Sequence, residues 1–391
     1  MKYASSISTI IFLSVIMAGC GRANRQSTCD WIIVDVNAKY PEKKLLLQDF
    51  MDVEYVPLET SDEFITQGVV KAVGKNIILV SNRNVDGNIF IFDRKTGKGL
   101  RKINHLGQGP EEYTQFTDIV LDEDNHEIFV VAYSTRNILI YDLYGNFKRN
   151  IKFDGDTGYY NYTFDYDRRH LISHKGYLPG IETERSQHIL LSKQNGDITR
   201  EIRLPFVEIK TPVIVEEEGS ITPSFYLTVP NRKDWIIMRT SSDTIYNYSP
   251  ENNTTTPVII RTPTIASMNP ETFLFPTVVT DRYYFMRTMK KEIDFTTFKG
   301  FPGIDLMYDK QENSIFEYSV YNDDFSSKQK VSLGQTPGSV VNREIATCIP
   351  LNAFDLVEAL KNNELKGELK DIAQGLNEES NPVIMLIKHK K

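Results

Sequence analysis

The sequence predicts an all-β fold: a six-bladed β-propeller closed by its N- and C-terminal strands, with one C-terminal helix inserted in the last blade. Three observations predict it. A strand–turn–strand pattern recurs five times, with starts 49, 51, 56 and 70 residues apart, and a period of roughly 50 residues with four short strands per unit is that of propeller blades. The composition is rich in strand formers, with 20 Tyr and 21 Phe among 391 residues, which suits a pleated, half-buried surface. Helical periodicity is confined to one stretch near the C-terminus, so the crossover helices of a parallel α/β fold are missing.

The chain opens with Lys2 and an apolar run from Ile7 to Met17, followed by Ala18, Gly19 and Cys20. A positive start, a short apolar run and small residues read as a signal peptide. A spanning helix would need about 20 apolar residues. Met17-Ala18-Gly19-Cys20 resembles the bacterial lipobox, with Met17 where Leu is usual. The expectation is therefore a leader over residues 1–19, cleavage before Cys20, and lipid on the Cys20 thiol that anchors the chain without a spanning segment. Residues 20–45 read as a lipidated polar tether and residues 46–391 as the propeller.

Formal net charge is −7, and loss of residues 1–19 removes one cation, Lys2. This balance argues against nucleic acid as a partner. With Cys20 lipidated, Cys29 and Cys348 remain. An oxidising compartment permits them to pair, but the favoured expectation is two separate thiols, with Cys348 buried.

The repeated hairpins begin at Asn88-Ile89, Asn137-Ile138, His188-Ile189, Thr244-Ile245 and Ser314-Ile315. Three carry Gly in the turn (Gly97, Gly145 and Gly196), where a tight hairpin requires positive φ. Each is preceded by a second hairpin, for example Val69–Val73 with Asn76–Val80 and Ile119–Asp122 with Glu127–Val131. The last interval is stretched by an insertion around Lys290 to Gly303.

A strand at Asp52–Glu59 and another at Pro382–Lys388 are left over. Their pairing would close the ring and remove its exposed edge. Between them a helix is predicted over Ala353–Leu376, capped by Asn352 with Asp355 near its positive end. Val357, Leu360, Leu365, Leu369, Ile372 and Leu376 form its apolar stripe, expected to pack on the sixth blade.

Tyr55-Val56-Pro57-Leu58-Glu59-Thr60, Ile103 to Tyr113, and Asn381-Pro382-Val383 resemble the Bacteroidota six-bladed β-propeller lipoproteins, over roughly residues 46–391. The most specific part is Gly107-Gln108-Gly109-Pro110-Glu111-Glu112-Tyr113. The resemblance implies the propeller fold and a place in the cell envelope, on the outer membrane, facing the periplasm or the surface. It implies no activity, although some members accompany glycan uptake. Arg22 and Arg25 depart from the acidic surface-export signal of such lipoproteins. Physically, Gly107–Tyr113 links two blades: the glycines are expected to take unusual backbone angles and Tyr113 to pack under the blade.

Familiar catalytic motifs are missing. His170 and His174, four apart on a strand, lie about 13 Å apart and cannot share a metal ion. Asp122-Glu123-Asp124-Asn125 reads as a solvated hairpin turn rather than a calcium loop. No metal site and no cofactor is assigned. Ile237-Met238-Arg239-Thr240 and Phe285-Met286-Arg287-Thr288 place Arg239 and Arg287 at equivalent positions of adjacent blades. Two guanidinium groups near one channel would suit a carboxylate or phosphate; alternatively each pairs with a nearby acid, Arg239 with Asp243 and Arg287 with Asp281. The expected function is a binding or scaffold module for a glycan or an outer-membrane protein. The alternative is a metal-dependent, lactonase-like hydrolase or a polysaccharide lyase. A channel lined by converging carboxylates would favour the enzyme; one lined by Tyr, Arg and Thr would favour binding.

Overall fold

The computed structural model describes residues 31–390, except 84–85, 154–157, 177–184, 207, 209, 217–218, 295, 298, 328 and 334–342. Alternating apolar and polar residues between Gly- and Asx-rich turns give short antiparallel strands. Blade 1 is Val69–Val73, Ile77–Ser81, Asn88–Asp93 and Gly99–Asn104. Blade 2 is Phe116–Asp122, Glu127–Ala132, Asn137–Asp142 and Phe147–Lys152. Blade 3 is Tyr159–Asp165, His170–Gly176, Gln187–Ser192 and Ile198–Ile202. Blade 4 is Thr228–Asn231, Asp234–Ile237, Thr244–Ser249 and Thr254–Thr262. Blade 5 is Thr272–Val279, Tyr283–Lys290, Asp305–Asp309 and Ser314–Tyr321. Blade 6 has the order Ile345–Leu351, Val383–His389, Met51–Pro57. Its outermost strand comes from the other end of the chain, with Asp52 opposite Lys388 and Val56 opposite Ile384, and so closes the ring as expected.

Turn chemistry holds as read: Gly97, Gly145 and Gly196 have φ of 70°, 89° and 78°. The fifth repeat does not. Ser314 begins the fourth strand of blade 5, not the third, which starts at Asp305 beyond an inserted hairpin of Ile293–Asp294 with Lys299–Gly300. The shared polar-Ile start was common to both strand types and could not separate them.

The core is divided. Among the described residues, six apolar clusters are each shared by two adjacent blades, such as Leu79, Ile91, Val130 and Leu139 between blades 1 and 2, and Val56, Val80, Phe92 and Leu386 between blades 6 and 1. Each blade is apolar on both faces and is buried by its two neighbours, which lets one ring exceed the size of a single conventional core.

Two expectations are corrected. Residues 31–45 are not all tether: Ile32–Asp35 adds a parallel strand to the outer edge of blade 4, and Glu42–Leu46 adds one to blade 5. Ile32 and Val34 are buried while Ile33 and Asp35 are exposed, a two-residue period within a segment polar on average. With Met51–Pro57, this N-terminal strap edges three consecutive blades.

The C-terminal helix is two helices, Ala353–Lys361 and Gly367–Gln374. The break is made by tertiary hydrogen bonds: Ser326 N–H donates to Glu364 O and Lys366 N–H to Asp324 O. Asn362 and Asn363 there are weak helix formers. Asn352 caps the first helix by accepting from Phe354 N–H at 3.0 Å. Leu356, Leu365 and Leu369 are buried with Phe285, Met307 and Met385, so the pair packs between blades 5 and 6. Among the described residues no helix is long and apolar enough to cross a membrane.

Candidate functional site

The innermost strands surround the axis. Those of blades 1 and 2, 2 and 3, and 4 and 5 pack on one another, and Ile345–Leu351 packs on those of blades 5 and 1. Five of these six strands break register: between Val70 and Ala72, Phe116 and Asp118, Asn161 and Phe164, Pro276 and Val279, and Ile345 and Thr347. A bulge leaves a residue out of the ladder and re-aims its side chain. The residues so freed include Lys71, Tyr162 and Thr277. All three are half-buried, and Lys71 and Thr277 stand between buried neighbours on their strands. Tyr162 has φ of 49°, an uncommon conformation for a bulky residue and of order 1 kcal/mol in cost.

These groups converge with Asp118 and Tyr226. The Asp118 carboxylate accepts from Thr163 N–H at 3.2 Å. The Tyr162 and Tyr226 rings lie 6.5 Å apart, centre to centre. Desolvation raises the Asp118 pKa to about 6, opposed by backbone N–H groups and by the Lys71 amine. Burial lowers Lys71, opposed by Asp118. Burial also raises both phenols, with the Asp118 charge acting on each. Asp118 is thus deep in the molecule, with Lys71, Tyr162 and Tyr226 in its electrostatic reach. A small cavity of about 60 Å³ has Tyr226, Thr277 and Thr347 in its lining.

A larger cavity of about 900 Å³ opens beside the first of the two C-terminal helices. Its wall combines Val69 and Val70 of blade 1, Ile349 to Asn352 of blade 6, Phe325 and Val331, with Arg83, Lys330, Asp355 and Glu358 among its charged groups. Asn322, on the same wall, donates to Tyr55 Oη at 2.8 Å.

Arg239 and Arg287 are committed to different surroundings. Arg239 is buried, donates to Leu204 O at 3.3 Å and lies over the Phe206 ring. Arg287 is half-exposed and pairs with Asp305 at 2.7 Å. The sequence neighbours expected as partners are engaged elsewhere, Asp243 with Arg261 and Asp281 with Arg232. Neither arginine lines the large cavity. Cys20 and Cys29 lie outside the described residues, and Cys348 is buried in the core between blades 6 and 1.

His170 accompanies Asp167 at 2.9 Å, whereas His174 is buried beside Asn161 and its pKa falls to about 3 by desolvation. Among the described residues no three His, Cys, Asp or Glu side chains gather as a metal ion would need. Asp122 accepts from Asn125 N–H across the turn read from the sequence. In the Gly107–Tyr113 link, Tyr113 is fully buried and donates to Gly87 O at 2.7 Å. The reason for its glycines is corrected: a Cβ at Gly107 would meet the Glu112 carboxylate, which accepts from Gly109 N–H. Neither glycine has positive φ, and the Glu112 carboxylate lies close to both.

Sequence reading missed Lys71, Asp118, Tyr162 and Tyr226. The available signal was a lone charge inside an apolar strand, as in Val69-Val70-Lys71-Ala72-Val73.

A family model described as Domain of unknown function (DUF4934) matches residues 31–388. A search of curated proteins finds no match. Among solved structures, the chain is similar to a Bacteroides fragilis protein described as exported. The two share 14% identity with a TM-score of 0.56, over 93% of this chain and 99% of that one. A member of the duf4221 family from Bacteroides vulgatus matches at 12% identity and a TM-score of 0.47, over 87% and 98%. The first likeness shows the shared fold.

Proposed function

Because the chain belongs to the DUF4934 family, whose description assigns no activity, we propose from its own geometry that it is a lipid-anchored envelope protein whose propeller is a binding module. The observation that carries the reading is the cavity of about 900 Å³. That volume suits a small organic ligand, and an apolar wall with a few polar groups is the usual make-up of a binding site. The axial group offers the Tyr162 and Tyr226 phenols and the Lys71 amine around the Asp118 carboxylate, which supports a binder. Cys20, after its short apolar run, supplies the anchor, in an outer-membrane lipoprotein facing the periplasm or the surface. That the Bacteroides fragilis protein of the same fold is described as exported agrees with this placement. An acid–base enzyme acting on a glycan is the second reading, favoured by Asp118, whose raised pKa near 6 suits proton transfer.

The test is a native pull-down of the lipidated protein from its own membrane, with mass spectrometry of what co-elutes. A stoichiometric outer-membrane transporter or a bound glycan is the expected result. Cys20→Ser is expected to abolish palmitate labelling and release the chain from the membrane fraction. Retention of the variant on the membrane would remove the lipid-anchor reading. Depolymerisation of a glycan by the wild type, lost in Asp118→Asn, would replace the binder with the enzyme.

A further inference from the structure

The face that carries the hairpin turns of blades 2, 3 and 4 holds a groove. Two cavities there, about 620 and 350 Å³, share His170 and Thr199 and so run into one another. Eight Lys and Arg side chains line them against two carboxylates, Glu127 and Asp167, on a chain whose net charge is −7. Part of this charge is answered locally. Glu127 takes Arg149 through hydrogen bonds of 2.7 and 2.8 Å and also holds Lys148. Lys193 sits 2.5 Å from Asp122 and 2.6 Å from Asp165, and Lys233 is 3.0 Å from Glu251.

Four guanidinium groups are left, of which Arg343 donates to Arg232 O and lies over the Trp235 ring, 5.1 Å from its centre. Arg168 and Arg169 are exposed on the blade 3 turn, and among the described residues neither has an acidic partner. Arg200 is held by a neutral group, Tyr248 Oη, at 3.0 Å. Next to Arg200 on the groove wall is Tyr166, half-buried and stacked on Trp235 with ring centres 6.0 Å apart and planes 20° from parallel. A ring fixed in this way offers a flat apolar surface beside cations.

We infer that this groove binds an acidic polysaccharide. Guanidinium forks match the carboxylate or sulfate of a charged sugar, and the apolar C–H face of a pyranose packs on an aromatic ring. The cations are spaced along a recess rather than gathered at one point, which fits a repeating chain better than a single small anion. A recess is also a poor match for a flat bilayer surface. The inference deepens the binding-module reading but rests on a surface at the hairpin-turn end, apart from the large cavity, so either can fail alone.

The experiment uses the full chain in detergent and measures its retardation in gels that contain polygalacturonate or neutral amylose. Polygalacturonate is expected to retard it, less so as salt rises, and amylose is not. Arg168→Gln combined with Arg169→Gln, and separately Arg200→Gln, are each expected to weaken binding about tenfold, the loss of a charge-assisted contact, with the melting temperature unchanged. Lys370→Gln, exposed on the second C-terminal helix, keeps full affinity. The groove assignment is overturned if the arginine variants bind polygalacturonate as the wild type does, or if amylose retards the chain equally. Binding to phosphatidylglycerol vesicles or to single-stranded DNA without binding to polygalacturonate also overturns it. A chain that binds neutral glycans alone leaves the binding module standing without this groove; one that captures neither glycan nor envelope partner overturns both.

Discussion

Asp118 shows how burial decides a residue's chemistry in the axial ring. Its carboxyl titrates near 3.8 in an ordinary setting and near 6 here, because desolvation outweighs the Thr163 N–H and the Lys71 amine. The folded state therefore binds more protons than the unfolded one between about pH 4 and 6, and this group's contribution to stability falls as pH rises through that window. His174 acts in the opposite sense: its depressed pKa, about 3, contributes stability above its unfolded value that is lost as pH falls. The difference between wild type and Asp118→Asn isolates the first effect. Urea titrations are expected to show the wild type losing of order 1–2 kcal/mol relative to the variant from pH 4 to pH 7. A pH-independent difference would mean that Asp118 is solvated.

Among elements, the Glu42–Leu46 strand of the N-terminal strap is tied to blade 5 by a buried carboxylate as well as by its backbone pairing. Asp309 is fully buried and accepts from Arg282 at 2.7 Å and from Lys43, on the strap, at 3.0 Å. Desolvation would raise its pKa, but Arg282, Lys43 and the backbone N–H groups of Gln311 and Glu312 outweigh it and hold the carboxyl well below the usual range. Its stabilisation is present above pH about 4 and lost as pH falls below that. Asp309→Ala removes the buried acceptor, leaves Lys43 and Arg282 with Glu312 alone, and is expected to cost about 3 kcal/mol. Hydrogen exchange should then quicken at Glu42–Leu46, and unchanged protection there would show that the strap is held by its backbone pairing alone. The two C-terminal helices show the converse case. Their apolar stripe was readable, but the break at Asn362–Lys366 belongs to the hydrogen bonds from Ser326 and Lys366.

At the scale of the whole molecule, stability rests on closure. Every apolar cluster is shared by two blades, so a missing blade exposes two of them. Val383–His389 is the middle strand of blade 6 and carries both Ile345–Leu351 and Met51–Pro57. A chain truncated after Asn381 is expected to lose the cooperative urea transition and to associate through the freed edges. Near-UV circular dichroism and size-exclusion chromatography would register both changes, and a monomer with the wild-type midpoint would show that closure is dispensable.

The sequence by itself determined the hairpins of blades 1 to 4, the turns at Gly97, Gly145 and Gly196, the capping by Asn352 and the pairing that closes the ring. These follow from a two-residue period, from turn chemistry and from leftover strands, all of which act over a few residues or by elimination. Tertiary structure decided that Arg287 pairs with Asp305 rather than Asp281, that residues 32–46 edge two blades, and that Lys71, Asp118, Tyr162 and Tyr226 meet. Lys71, Asp118 and Tyr162 come from the first strands of three successive blades and Tyr226 from the approach to a fourth, a separation in sequence that no local pattern bridges. Side chains converge on an axis only once the ring exists, so the site is a property of closure rather than of any one repeat.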